Sequence, residues 1–94
     1  MTIAYEKIAA HLKERLVEDF ADEIESIILY GSVARNEAHE DSDIDILVVT
    51  RDDDRKLYDR ISIIRTRIDL DNNTLTALVQ MSRNELERHV KLGS

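Results

Sequence analysis

An α/β (α+β) fold, with a small mixed sheet of three or more strands covered by helices, is what this 94-residue sequence predicts. Apolar residues recur at three- and four-residue steps in two separate segments. Short runs rich in β-branched residues lie between them, and the two kinds of segment alternate along the chain.

From Ile3 to Ile24 the apolar positions Ile8, Leu12, Leu16, Val17, Phe20 and Ile24 keep helical spacing, with charged residues in the intervals. The continuous run "SIILYGS" suits a strand buried on both faces and ended by glycine. "VARNEAHE" is rich in helix formers and predicts one or two helical turns. "DIDILVVT" is a second strand and "RDDDR" a solvated loop. From Asp54 to Ile68 the helical period returns at Leu57, Ile61, Ile64 and Ile68, and "DNN" signals a turn. "LTALVQM" is a third strand. In "SRNELERHVKL", Ser82 followed three residues later by Glu85 forms the capping box of a last helix.

Composition narrows the class of function. A chain of this size makes one domain, residues 1–94, that buries a little over ~60% of its unfolded surface. The net charge of -7 opposes binding to a phosphate backbone, so no direct contact with nucleic acid is expected. No cysteine is present, which excludes disulfides and cysteine-based zinc sites. No apolar stretch approaches a membrane span, and the acidic N-terminal segment lacks the layout of a signal peptide, so a cytoplasmic protein is expected. The closing Gly93-Ser94 resembles an expression scar and is assigned no role.

The chemistry concentrates in "LYGSVARNEAHEDSDIDILVV", residues 29–49. Gly31 ends a strand, where an absent side chain lets a ligand approach the main chain. Ser32 opens the next turn, whose unpaired backbone N–H groups favour an anion. Asp43 and Asp45, two apart at a strand start, project to the same side, while Ile44 and Ile46 face the core. Two neighbouring carboxylates repel each other, and a divalent cation with oxygen ligands relieves that repulsion. Together these residues suggest a magnesium and nucleoside triphosphate site. A calcium loop fails because Ile46 stands at the position that requires glycine and Asp52 where a bidentate glutamate is needed. A phosphate-binding loop of the Walker type fails for want of a second glycine and a lysine. Arg35, three residues beyond Ser32, suits either a phosphate or one of the aspartates. Tyr30 is expected to pack in the core. His39 is read as a solvated loop residue, and His11 and His89 as structural.

"GS", ten residues, then "DID" and "ILVV" resembles the Gly-Ser-x10-Asp-x-Asp signature of the minimal nucleotidyltransferase (MNT) domain, in the DNA polymerase beta nucleotidyltransferase superfamily. The resemblance implies the nucleotidyltransferase fold. It implies that Gly31 and Ser32, with Arg35 nearby, cradle the triphosphate of ATP. Asp43 and Asp45 would be the catalytic pair and hold Mg2+, and AMP would pass from ATP to a hydroxyl while pyrophosphate leaves. It further implies a HEPN-domain toxin as partner, with a tyrosine on that toxin as acceptor and an antitoxin role for this chain. A third carboxylate often found on the strand beside Asp-x-Asp has no counterpart in "LTALVQM"; Asp69 and Asp71 lie just before it and are either late substitutes or turn residues. The alternative is a degenerate module that neutralises a partner, or holds nucleotide, by binding alone. Transfer to a small-molecule hydroxyl is a third reading, disfavoured by the lack of room for a substrate domain.

Overall fold

A computed structural model describes residues 5–31, 43–52 and 55–93. The order is α1 (Tyr5–Phe20), β1 (Ile24–Tyr30), β2 (Ile44–Thr50), α2 (Arg55–Asn72), β3 (Thr76–Ser82) and α3 (Arg83–Gly93). The expected α/β class, with a mixed sheet covered by helices, is observed. The sheet has the order β1-β2-β3, and β2 is central. It pairs antiparallel with β1 and parallel with β3.

α1 is shorter than its periodicity predicts. Glu23 N–H donates to the Phe20 carbonyl at 3.0 Å and closes the helix, so Ile24 begins β1 instead of ending α1. An apolar residue four positions after Phe20 satisfies helical spacing and a strand start equally. α2 runs past Ile68 to Asn72, whose amide donates to the Ile68 carbonyl at 2.8 Å. Asn73 then takes the left-handed conformation at φ 54°, the geometry of a helix stop. The capping box of α3 forms as expected: Glu85 N–H donates to Ser82 Oγ at 3.2 Å, and Ser82 N–H to Glu85 Oε1 at 3.3 Å. The short helix expected over "VARNEAHE" lies outside the described residues.

The core lies on one face of the sheet. Leu12, Leu16 and Phe20 of α1 pack with Leu57, Ile61 and Ile68 of α2 over Ile46 and Val48 of β2. Arg60 lays its guanidinium over the Phe20 ring, 4.9 Å from the centroid. Tyr5, Ala9 and Ile44 form a second cluster at the start of β2. The opposite face of the sheet is open over part of its area. Ile28 and Tyr30 of β1 and Val79 of β3 are 43%, 41% and 38% exposed. β1 is therefore not buried on both faces as its unbroken apolar run suggests. Among the described residues no helix is long and apolar enough to cross a membrane.

Candidate functional site

Antiparallel pairing sets the end of β1 beside the start of β2, so that Tyr30 is the cross-strand partner of Asp45. Gly31 follows Tyr30 at φ 77°, a conformation that side-chain-bearing residues resist. A Cβ built there would collide with the Asp45 carboxylate, its Oδ2 first and its Cγ at 3.0 Å. The carboxylate thus occupies the space that the missing side chain vacates. The glycine serves the turn and the seat of the acid together.

Strand alternation sorts Ile44, Asp45 and Ile46 as the sequence predicts, but the strand begins at Ile44, one residue after Asp43. Ile44 and Ile46 are buried in the core, Asp45 is half-buried on the other face, and Asp43 is exposed just ahead of the strand. Among the described residues neither aspartate makes an ion pair, while Arg15–Asp19, Arg83–Glu25 and Arg83–Glu87 do. Ser32, Arg35 and His39 lie outside the described residues.

The structure bears on the two candidates for a third acid, Asp69 and Asp71. The β3 neighbour of Asp45 is Ala77. Asp69 is committed elsewhere: its carboxylate accepts from Thr74 Oγ1 at 2.9 Å, Thr76 N–H at 3.0 Å and Thr76 Oγ1 at 2.7 Å. Thr76 is the partner of Ile44 and shares its core-side face, opposite to Asp45. Asp69 is a clasp for the turn between α2 and β3, which favours the turn-residue reading over late substitution. Asp71 is exposed and lines a groove of about 480 Å3 with Ser62, Ile63, Thr66, Arg67 and Leu70. Among the described residues no three carboxylates or imidazoles come together as a metal cluster, so neither Asp69 nor Asp71 joins the pair.

The carboxylates of Asp43, exposed ahead of β2, and Asp45, half-buried within it, are oxygen donors of the kind a hard divalent cation takes alongside water and phosphate oxygens. Tyr30 is the residue misread from sequence. It was expected in the core, yet it stands exposed on the open face, opposite Asp45. Its two-residue spacing from Ile28 puts them on one face, but only the register shows that Asp45 shares it.

The sequence profile of the nucleotidyltransferase domain family matches residues 9–92. A protein of Methanocaldococcus jannaschii named "Putative protein adenylyltransferase" is 38% identical over 52 residues, 55% of this chain. The match spans 35% of that relative's length. The crystal structure of a protein of Sulfolobus solfataricus described as a "putative nucleotidyltransferase" superposes with a TM-score of 0.59 at 26% identity. It covers 87% of this chain and 70% of its own.

Proposed function

Since this chain belongs to the nucleotidyltransferase domain family, we propose that it transfers AMP from ATP to a hydroxyl acceptor, a tyrosine on a HEPN-domain toxin that it thereby restrains. The observation that carries this reading is the seat of the Asp45 carboxylate against Gly31, at the point where β1 ends and β2 begins. The name of the Methanocaldococcus jannaschii relative supports protein adenylylation in particular.

In this reading the acceptor oxygen attacks the α-phosphorus. The bond from that phosphorus to the bridging oxygen breaks, pyrophosphate leaves, and the hydroxyl proton passes to water. Asp43 and Asp45 would hold Mg2+, which when bound neutralises charge on the phosphates and the attacking oxygen. Gly31, which seats the Asp45 carboxylate, would contact the triphosphate together with Ser32 and Arg35. Ile44 and Ile46, locked in the core, fix the strand that carries the acids, so orientation is prepaid by folding. The acidic surface suits a basic partner better than nucleic acid.

A second reading, a module that binds its partner without chemistry, is favoured by Ala77 beside Asp45 and by the engagement of Asp69 elsewhere. Label transfer separates the two. With magnesium, ATP labelled at the α-phosphate is expected to mark the partner protein, whereas ATP labelled at the γ-phosphate leaves it unmarked. The Asp43→Asn/Asp45→Asn variant is expected to lose transfer by at least about a hundredfold with its far-UV spectrum unchanged. Full transfer by that variant would overturn the assignment. Neutralisation without any label would favour the binding module.

A further inference from the structure

Phosphates at Gly31 and Asp45 leave the base of the nucleotide still to be placed. We propose that it lies on the open sheet face, stacked on the row Ile28, Leu47 and Val79 with Tyr30 at the corner. This rests on the reading of the chain as a nucleotide-binding transferase.

The register defines the rows. Tyr30, Asp45 and Ala77 are neighbours across the three strands, and Ile28, Leu47 and Val79 are the next neighbours on the same face. Two residues of strand separate the rows by roughly 6.5–7 Å, about the reach of a ribose between a phosphate and a base. Beyond them, Val49 is only 2% exposed and α3 packs against β2 and β3. Arg83 at the start of α3 reaches Glu25 of β1 at 3.4 Å. Among the described residues the face is therefore closed at the α3 end and uncovered toward Asp45, leaving one apolar row between the helix and the acids.

The size of this row selects its occupant. Three strands about 4.8 Å apart offer a strip roughly 10 Å wide, the dimension of a purine. A stable protein interface needs about 800 Å2 from each partner, far more than one row. Aliphatic side chains and an aromatic ring make a surface for the flat face of a base, which is indifferent to the lack of polar atoms. Water gains nothing from Ile28, Leu47 and Val79, and the first and last of these are exposed beside the acids.

Calorimetric titration with ATP and with inorganic tripolyphosphate, both with magnesium, tests the platform. Ile28→Thr/Val79→Thr keeps β-branching in exposed positions and alters only the surface offered. That variant is expected to bind ATP about tenfold more weakly while its affinity for tripolyphosphate changes by less than about twofold. ATP should also quench tyrosine emission in the unaltered chain and not in Tyr30→Leu, which retains Tyr5 and Tyr58. Equal ATP affinity in the unaltered chain and the threonine variant would overturn the platform and leave the transferase reading standing. Failure of the unaltered chain to bind either ligand would overturn both.

Discussion

Gly31 is the position at which a single methyl group has most to disturb. Alanine there must hold φ near 77°, at a cost of about 1–2 kcal/mol, and must also displace the Asp45 carboxylate. The two costs separate in a double-mutant cycle. In an Asp45→Ala background the collision is gone and only the backbone part remains. Gly31→Ala is therefore expected to destabilise the unaltered chain by at least about 1 kcal/mol more than it destabilises Asp45→Ala, as read by urea unfolding. Strict additivity would mean that the carboxylate does not rest against this glycine. The same pair explains why one glycine is so placed in a chain with only one other: its lack of a side chain is used by the acid as well as by the turn.

At the scale of elements, the turn from α2 to β3 depends on Asp69. Three donors from Thr74 and Thr76 converge on its carboxylate, and Thr76 is buried. Asp69→Ala strands those donors and is expected to cost about 2–3 kcal/mol in urea unfolding, with the transfer rate per folded molecule unchanged. A lost rate with stability intact would instead make Asp69 part of the chemistry. The clasp also shows what a sequence can and cannot disclose. The Ser82–Glu85 box was legible because it is local, three residues of one helix turn. Gly31, Asp43 and Asp45 could be singled out because their spacing survives without coordinates, whereas the contact of Gly31 with the Asp45 carboxylate could not. The exposure of β1 was not, since an unbroken apolar run looks the same whether one or two layers of helix cover the sheet. Nor was the pairing of Tyr30 with Asp45, because register depends on how the connection between the strands closes.

For the whole molecule, the proposed metal site sets charge repulsion and ligand binding in opposite directions, and their balance is measurable. The chain carries a net charge of -7, and a compact acidic fold is weakened by its own repulsion. Removing two negative charges in Asp43→Asn/Asp45→Asn should therefore raise the melting temperature slightly in chelator. The unaltered chain should overtake it once magnesium and ATP are present. A ligand that binds only the folded state adds RT ln(1 + [L]/Kd), about 2.7 kcal/mol at a hundred times Kd. For a domain of this length that is a rise on the order of 10 °C. Sodium chloride at matched ionic strength screens the repulsion without occupying a site, and separates general shielding from binding. The expected result is a crossing: the double variant melts higher in chelator, and the unaltered chain melts higher with magnesium and ATP. A rise in the unaltered chain no larger than that in matched sodium chloride would remove the metal from Asp43 and Asp45. Both charges would then be a stability cost without a ligand to offset it.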